Sequence, residues 1–259
     1  MMKTAVLVTG ACINTGVAIV EKFASEGRNV VFTGRSPEKV EAAAQCYRDK
    51  FPKVEILGYP IDSLIDERTV DEAAVTKLFS ELDRQDVFID TLVLNAADQG
   101  LGMKVFESPL TDFMRVYNTN VVWNFCLCEQ AALRMKKNGG GSITFINSNT
   151  AYRAIPDRVA YVSSKGGQLG LMRALALDLG QYGIRVNAVL PGMIKTDRWE
   201  KNPDFYENVP SRFTPIGDVA VGADIADAAY YLAAHARNTT GAELIVDGGN
   251  SIQLYPIVR

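Results

Sequence analysis

Short apolar segments recur along the chain and alternate with longer segments whose apolar residues follow a helical period. The apolar segments occupy residues 5–8, 30–33, 54–59, 91–95, 142–147, 185–190 and 243–246. Several of them, such as 143–146, lack the polar alternation of a half-exposed strand, which favours parallel strands covered on both faces. The pattern predicts a doubly wound α/β fold, with a seven-stranded parallel sheet and helices on both faces.

The segments between these strands predict helices at residues 17–25, 37–50, 71–83, 111–137, 157–182 and 223–234. Gly27 and Gly183 follow two of them, and glycine is the usual left-handed stop after a helix. The segment 197–222 contains three prolines and little periodicity, which is typical of a functional loop. We therefore expect a single domain over residues 1–259, with a substrate lid at about 197–222.

Composition and charge restrict the class of protein. The 259 residues are 47% hydrophobic and 22% charged, as in ordinary globular chains. A formal net charge of −3 without a basic block argues against a nucleic-acid partner. The apolar run near the N-terminus is too short for a signal peptide or a membrane span, so we expect a cytoplasmic protein without a membrane partner.

The cysteines and the histidine do not indicate a metal centre. Cys12, Cys46, Cys126 and Cys128 lack the CxxC spacing of zinc and redox sites. His235, the only histidine, is expected at a helix end without a second ligand nearby. We therefore expect no bound metal.

A glycine-containing turn, TGACINTG at residues 9–16, follows the first strand and opens the first helix. Glycine at such a turn lets the backbone approach a pyrophosphate, which then lies on the helix N-terminus. A tight turn without a ligand would explain the glycines equally well on their own. Its place after the first strand of an alternating chain favours a Rossmann-type dinucleotide site. The residues predicted to contact the cofactor here are Gly10, Asn14, Thr15 and Gly16.

The end of the second strand bears on the choice of cofactor. Gly34 stands where an acidic side chain would hold the ribose hydroxyls of NAD, and Arg35 and Ser36 follow it. Without a carboxylate, a 2′-phosphate is not repelled, and a guanidinium can pair with it. The alternative is a solvated arginine at a helix entry. We predict NADP(H) in preference to NAD(H).

Tyr161 and Lys165 are four residues apart on a predicted helix and therefore share a face. A phenol with a pKa of about 10 is a poor base at neutral pH, but a neighbouring ammonium stabilises the phenolate. Such a tyrosine can exchange a proton with a carbonyl oxygen while hydride moves at the carbon. Ser148, at the end of the preceding strand, can hold that oxygen. Taken alone, the pair could also be an interfacial tyrosine beside a surface lysine.

The pair does not stand alone in the chain. The segments YVSSK at 161–165, LNAA at 94–97 and RVNAVLPG at 185–192 occur in order with Ser148 and the glycine turn. Over about residues 4–249 this combination resembles the short-chain dehydrogenase/reductase family. The resemblance implies that Tyr161 is the acid/base, that Lys165 lowers its pKa and binds the nicotinamide ribose, and that Ser148 orients the substrate.

The same resemblance implies further roles. Asn120 matches the helix asparagine that holds a water in a proton relay, whereas Asn118 is one helical step off the pattern. The implied contacts extend to Asp62 beside the adenine, to Asn95 and Ala96 near the adenosine half, and to Pro191, Gly192, Ile194 and Thr196 around the carboxamide. Asn95 could equally stabilise the strand through backbone hydrogen bonds. The resemblance also implies a homodimer or homotetramer.

Two departures from the family pattern are Asn14, in place of the middle glycine, and Ala97, in place of the last glycine of the fourth-strand motif. Asparagine tolerates left-handed backbone geometry, so Asn14 should still permit the turn. Ala97 adds a methyl where the cofactor should pass and could shift affinity without changing the reaction class.

The substrate is predicted only as a small carbonyl or alcohol. Aromatic residues in the lid would suit an apolar ketone, but we favour their packing of the lid onto the body; they are Trp199, Phe205, Tyr206 and Phe213. Arg153 and Arg198 could meet a carboxylate. One alternative function is reduction of 3-oxoacyl groups on acyl carrier protein, with Arg134, Lys136 and Lys137 as weak docking candidates. Another is a non-catalytic NADP(H)-binding sensor or scaffold.

Overall fold

The computed structural model describes residues 3–197, 199 and 212–255. Its seven strands form one parallel sheet in the order β3-β2-β1-β4-β5-β6-β7, which confirms the predicted doubly wound architecture. The strands are β1 (Lys3–Val8), β2 (Asn29–Gly34), β3 (Ile56–Pro60), β4 (Val87–Leu94), β5 (Gly141–Ile146), β6 (Ile184–Pro191) and β7 (Glu243–Val246).

The fourth strand begins four residues before the predicted segment 91–95. The sequence Val87-Phe88-Ile89 is apolar, but Asp90 interrupts the run and hides it. In the structure Asp90 forms an ion pair with Arg28, so the carboxylate is compensated within the strand. A charged residue in a sheet is tolerated when it has such a partner.

The helices are α1 (Asn14–Ser25), α2 (Pro37–Lys50), α3 (Glu72–Arg84), α4 (Leu110–Tyr117), α5 (Trp123–Lys137), α6 (Val159–Leu179) and α7 (Gly222–Tyr230). The predicted helix 111–137 is therefore interrupted, because Asn118–Val122 forms a π-helical turn between α4 and α5. A second π-helical turn, Tyr231–His235, continues α7. Single π turns occur inside longer helices and are frequent at functional sites.

Helix α1 begins at Asn14, three residues before the predicted start at Val17. Residues 14–16, which the sequence analysis assigned to the turn, therefore belong to the start of the helix. Asn14 itself has φ +49°, in the left-handed region. The two glycine stops are confirmed, since Gly27 (φ +78°) and Gly183 (φ +71°) follow helical segments in the left-handed conformation.

Each face of the sheet carries its own apolar core. One core packs α3, α5 and α6 against the sheet, with Phe79, Leu127 and Met172 fully buried. The other packs α1, α2 and α7 against the opposite face, with Phe23 and Ile225 fully buried. Each such side chain contributes roughly 1.5–3 kcal/mol by burial, so the strands are held rigidly between two helical layers.

The strand order places a crevice at the carboxyl ends of the strands. From β1 the chain proceeds outward to β2 and β3, then returns to β4 on the other side of β1 and proceeds to β7. Ligands of doubly wound sheets bind beyond the carboxyl ends of the strands at this reversal. No helix within the described residues is both long and apolar enough to cross a bilayer.

Candidate active site

The predicted site residues gather at this carboxyl edge of the sheet. The glycine turn follows β1, Asn95 follows β4, Ser148 follows β5 and Pro191 ends β6. Tyr161 and Lys165 lie in the first two turns of α6, the helix that follows β5. The fold thus brings the turn and the catalytic candidates to one crevice.

The glycine turn forms a cradle that side chains would fill. Gly10 has φ +66°, and a Cβ there would lie 2.9 Å from the Cα of Ala96. A Cβ on Gly16 would collide with the Gly10 carbonyl oxygen and lie 2.8 Å from the side-chain amide of Asn95. Ile13, the N-cap of α1, provides no side-chain hydrogen bond. The first amides of α1 are therefore available to an anion, and the dipole favours a pyrophosphate there.

The side chain of Asn95 stabilises the glycine turn through hydrogen bonds. Its Nδ2 donates to the carbonyl oxygens of Thr9 and Gly10, at 3.0 Å each. In return, the Oγ1 of Thr9 accepts the backbone amides of Asn95 and Ala96, also at 3.0 Å each. The side chain of Asn95 therefore makes the backbone hydrogen bonds that we weighed as the alternative to a cofactor contact. Ala97, the other altered position, is exposed at the rim.

The end of β2 is closely packed. A Cβ on Gly34 would collide with the Sγ of Cys12 and lie 2.9 Å from the Cγ2 of Val40. A carboxylate side chain at residue 34 therefore has no room unless its neighbours move. Arg35 is exposed beside it, and no carboxylate among the described residues forms an ion pair with it. Ser36 caps α2, its Oγ accepting the backbone amide of Lys39 at 3.3 Å.

Lys39 is a candidate residue that the sequence analysis missed. Burial raises the pKa of the Cys12 thiol, and the positive charge of Lys39 opposes that shift. Cys12 lies next to Gly34, so the effect of the Lys39 charge on Cys12 indicates that Lys39 is a second cation near Gly34, in addition to Arg35. The sequence feature that could have identified Lys39 is its position in the first turn of α2, the helix that follows Arg35.

Ser148 and Tyr161 form a hydrogen-bonded pair. Burial raises the pKa of the Tyr161 phenol, whereas the hydrogen bond with the Ser148 side chain and the charge of Arg158 lower it, and the net direction is upward. The Oγ of Ser148 also accepts the backbone amide of Thr150 at 3.2 Å and its hydroxyl at 2.9 Å. Arg158, a further cation that acts on Tyr161, was missed because it lies outside the Tyr-x-x-x-Lys spacing.

Lys165 is fully enclosed, with 1% of its surface exposed. Its Nζ donates to the carbonyl oxygen of Ile146 at 3.0 Å and lies 5.6 Å from the ring centroid of Tyr161. Burial lowers the pKa of Lys165 to about 7. Burial dominates at the phenol, so the net direction of the Tyr161 pKa is upward; the expected lowering by Lys165 stays a prediction.

The lysine is linked to Asn120 through another side chain. The Nζ of Lys165 donates to the Oε1 of Gln168 at 3.1 Å, and the Nε2 of Gln168 donates to the backbone oxygen of Asn120 at 2.6 Å. The Nδ2 of Asn124 also donates to that oxygen, at 2.8 Å. The carbonyl oxygen of Asn120 thus accepts two side-chain amides, and the water-holding role implied for Asn120 stays a prediction. Gln168 carried no motif signal and was missed.

The structure separates the two asparagines of the π-helical turn. Asn120 is fully buried, and its Nδ2 donates to the Oγ of Ser164 and to the carbonyl oxygen of Asp98, at 2.9 Å each. The Nδ2 of Asn118 instead donates to the carbonyl oxygen of Arg68 at 2.8 Å, outside the crevice. Only Asn120 faces the catalytic candidates.

The remaining cofactor candidates lie along the same edge. Asp62 is exposed just after β3, and Pro191 is buried at the end of β6. A Cβ on Gly192 would lie 2.6 Å from the Cβ of Asp247, so this position requires glycine. Ile194 forms an isolated parallel bridge with Ala220.

The substrate-side candidates are only partly described. Arg198, Phe205 and Tyr206 lie outside the described residues, as does half of the expected lid. Phe213 is tied to the C-terminal segment, since its carbonyl oxygen accepts the Nδ2 of Asn250 at 2.7 Å. A guanidinium nitrogen of Arg153 donates to the carbonyl oxygen of Asn250 at 2.5 Å, so this cation serves a local contact.

The basic residues considered for docking of acyl carrier protein lie away from the crevice. Arg134, Lys136 and Lys137 end α5, immediately before β5 begins, and therefore lie at the opposite edge of the sheet. Arg134 pairs with Asp83 at 2.6 Å, and Lys136 lies 4.1 Å from the ring centroid of Tyr182. These contacts argue against a docking patch near the entrance. Among the described residues, no group of three or more His, Cys, Asp or Glu residues could hold a metal ion.

Known proteins match nearly the whole chain. Residues 10–251 match the family model described as enoyl-(acyl carrier protein) reductase. The chain is 32% identical over 252 residues to a 3alpha-hydroxysteroid dehydrogenase of Mediterraneibacter gnavus, covering 96% of this chain and 97% of that protein. It is also 32% identical over 252 residues to an NADP-dependent (R)-specific alcohol dehydrogenase of Lentilactobacillus kefiri, covering 95% and 96%. The solved structure of ElxO with bound NADP superposes with a TM-score of 0.86 at 29% identity, covering 98% and 100%.

Proposed function

Because the chain belongs to the short-chain dehydrogenase/reductase family, we propose that it transfers hydride between NADP(H) and a ketone or secondary alcohol, with Tyr161 as the acid/base. Family membership makes it an NAD(P)-dependent oxidoreductase that acts on a CH–OH or C=O group. The observation that carries the proposal is the hydrogen-bonded Ser148–Tyr161 pair, with the Nζ of Lys165 5.6 Å from the ring centroid of Tyr161.

The residues divide the proton chemistry between them. When bound, NADPH supplies the hydride that reduces the carbonyl carbon. In that direction the Tyr161 hydroxyl donates its proton to the carbonyl oxygen as negative charge develops there. The Ser148 hydroxyl donates a hydrogen bond to the same oxygen and holds it in place. The positive charges of Lys165 and Arg158 stabilise the phenolate that remains on Tyr161.

The cofactor site is proposed on the cradle and on its charge. Gly10, Asn14, Thr15 and Gly16 would hold the pyrophosphate at the start of α1, where no acidic side chain occupies the first turn. The exposed guanidinium of Arg35 would pair with a 2′-phosphate, assisted by Ser36 at the start of α2. The absence of room for a carboxylate at Gly34 supports NADP(H) in preference to NAD(H).

The rest of the cofactor is assigned to the same edge of the sheet. We propose that Asp62 lies beside the adenine, that Asn95 and Ala96 flank the adenosine half, and that Lys165 binds the nicotinamide ribose. The carboxamide is assigned to Pro191, Gly192, Ile194 and Thr196. The single domain over 1–259, the lid at 197–222, the cytoplasmic location and the homodimer or homotetramer remain predictions.

The substrate class stays at the level of a ketone or secondary alcohol. The two named relatives are a hydroxysteroid dehydrogenase and an alcohol dehydrogenase, whose substrates differ widely in size. The acyl-carrier-protein alternative is not supported by Arg134, Lys136 and Lys137, which lie away from the crevice. The sensor or scaffold alternative would have no need of the intact set Ser148, Tyr161 and Lys165.

Replacement of the phenol by a ring without a hydroxyl tests the acid/base assignment. We expect Tyr161→Phe to bind NADPH normally and to lose turnover by roughly a hundredfold to ten-thousandfold, as for other general acids. The measurement is NADPH oxidation with steroid, sugar, acyl and small aliphatic ketones, and binding by NADPH fluorescence.

Tyr182→Phe is the matched control, because Tyr182 lies in the turn after α6, at the opposite edge of the sheet. It should keep wild-type turnover. Near-normal activity of Tyr161→Phe would refute the assignment. Wild-type protein that binds NADPH but oxidises it with none of these ketones would support the sensor alternative.

A further inference from the structure

Gln168 is a buried amide whose hydrogen bonds converge on the catalytic candidates. It is 1% exposed, on the sheet-facing side of α6, three residues after Lys165. Its Oε1 accepts the Nζ of Lys165 and the Nδ2 of Asn147, at 3.1 Å each. Its Nε2 donates to the backbone oxygen of Asn120 at 2.6 Å. Both ends of the amide are therefore engaged.

Burial of such an amide lowers the stability of the fold unless its polar atoms form hydrogen bonds. A buried amide loses its hydration, and an apolar side chain of the same size would fill the space without that cost. The neighbours of Gln168 along α6 facing the same core, Leu169 and Met172, are apolar. The buried polar side chains of α6 are Ser164, Lys165 and Gln168, so the amide extends the polar cluster of the site into the apolar core.

We propose that Gln168 is a positioning residue for Lys165: its carboxamide fixes the lysine Nζ beside Tyr161 and ties it to the π-helical turn that contains Asn120. The proposal rests on the function proposed above, because it concerns the charge that acts on Tyr161. Three elements meet at this amide, namely α6, the end of β5 through Asn147, and the turn at Asn118–Val122. Movement of that turn would change the position of the lysine.

The groups that face the Lys165 Nζ are few. From its own helix they are the Tyr161 ring and Gln168, and from β5 the carbonyl oxygen of Ile146. The turn at Asn118–Val122 is linked to the Nζ through Gln168, whose Nε2 donates to the carbonyl oxygen of Asn120. Among the described residues, no carboxylate contributes to its pKa, which burial alone lowers. The Oε1 of Gln168 and the carbonyl of Ile146 are therefore the acceptors that stabilise the ammonium.

This arrangement predicts opposite effects for two substitutions. Gln168→Met keeps the side-chain length but removes an acceptor, so the charged form of Lys165 loses a hydrogen bond. Gln168→Glu keeps the shape and adds a negative charge beside the ammonium, so the charged form is favoured. A residue that only packs the core would give no such reversal of sign.

The test is the pH dependence of kcat and, separately, of NADPH binding without a carbonyl substrate. Both should fall as pH rises through the pKa of Lys165, because the charged ammonium makes the stronger hydrogen bonds. We expect Gln168→Glu to move this fall upward by about one pH unit and Gln168→Met to move it downward by a similar amount. At pH 7 the downward shift corresponds to an approximately fivefold lower charged fraction in Gln168→Met.

Met172→Leu is the matched control, since Met172 is a buried residue of α6 that lies two turns beyond Lys165. It should leave both pH profiles unchanged. Unchanged profiles in Gln168→Glu and Gln168→Met, or equal shifts in the control, would overturn the proposal. If Gln168→Met does not fold, the upward shift in Gln168→Glu decides. If no ketone is reduced but the binding profiles shift as expected, the proposed function fails and the positioning role stands.

Discussion

Lys165 lies in an environment far from that of its unfolded state. Its ammonium is buried among a carbonyl, an amide and an aromatic ring, with no carboxylate partner among the described residues. Burial lowers its pKa from 10.5 to about 7. The protein therefore bears a stability cost at the site that its proposed chemistry uses.

That cost predicts a dependence of stability on pH in the protein without cofactor. Between pH 7 and 10.5 the unfolded chain holds a proton on Lys165 that the folded chain releases. The unfolded state binds more protons in this window, so the free energy of unfolding should rise with pH, by at most about 1.4 kcal/mol per pH unit. Below pH 7 the full cost of the buried charge is present.

Urea unfolding at a series of pH values, compared with Lys165→Met, measures this contribution. The difference between wild type and Lys165→Met should grow in favour of wild type from pH 7 to pH 10. Lys77→Met, which removes an exposed lysine, should show no such trend. Parallel curves for wild type and Lys165→Met would exclude a lowered pKa at this lysine.

Among individual residues, those that belong to a spacing pattern could be predicted from the sequence. Tyr161, Lys165 and Ser148 were predicted because they lie at fixed distances along a strand and a helix. Gln168 was not, because its role depends on the approach of the turn around Asn120, which is 48 residues away in the chain. Lys39 was missed for a similar reason, since only the folded chain brings it near Cys12.

Among the elements, the start of α1 departs from the expected pattern by three residues. Asn14 stands in the left-handed region, φ +49°, at the point where the turn becomes a helix. A residue with a Cβ loses about 1–2 kcal/mol there, and asparagine is among the few that visit the region routinely. The sequence analysis anticipated this tolerance but started the helix three residues too late.

Substitution of Asn14 tests the backbone requirement. We expect Asn14→Ala to lower the free energy of unfolding by about 1 kcal/mol and to weaken NADPH binding, because alanine resists the left-handed conformation. Asn14→Gly should equal or exceed wild type in stability, since glycine adopts this conformation freely. Denaturant unfolding and fluorescence titration with NADPH provide the two measurements.

Asn138→Ala provides a matched control, because Asn138 follows α5 with an ordinary φ of −112°. It should change stability less than Asn14→Ala and leave NADPH binding unaltered. Equal effects of alanine and glycine at residue 14 would argue that the Asn14 side chain, and not its backbone, matters.

The interrupted helix around Asn120 was beyond prediction from periodicity. A π-helical turn adds one residue to the helical repeat, and the segment 111–137 keeps a helical apolar pattern on both sides of it. The turn places the Asn120 carbonyl against Gln168 and its side chain against Ser164. Its position at the site agrees with the general occurrence of π turns at functional positions.

For the whole molecule, the parallel sheet was predicted well because the physical signal is strong. Seven apolar segments covered on both faces, separated by helices, allow few other arrangements. Parallel strands deliver all their carboxyl ends to one edge, so residues far apart in sequence, such as Gly10 and Ser148, reach one crevice. The substrate side could not be predicted, because packing among lid, C-terminal segment and body depends on contacts that no pattern encodes.

A cofactor that joins the two halves of this sheet should stabilise the whole fold by mass action. A ligand that binds only the folded state at one hundred times its Kd adds about 2.7 kcal/mol. We expect NADPH to raise the Tm of wild type more than NADH at equal concentration, because in the proposed site the guanidinium of Arg35 pairs with the 2′-phosphate that NADH lacks.

Arg35→Ala should remove most of this difference by lowering the shift with NADPH, and should raise the KM for NADPH much more than that for NADH. Arg84→Ala, which removes an exposed arginine at the end of α3, should keep the wild-type difference. Equal shifts with both cofactors in wild type, or an equal loss for both in Arg35→Ala, would contradict the role of Arg35. A difference that survives Arg35→Ala but disappears in Lys39→Ala would transfer that role to Lys39.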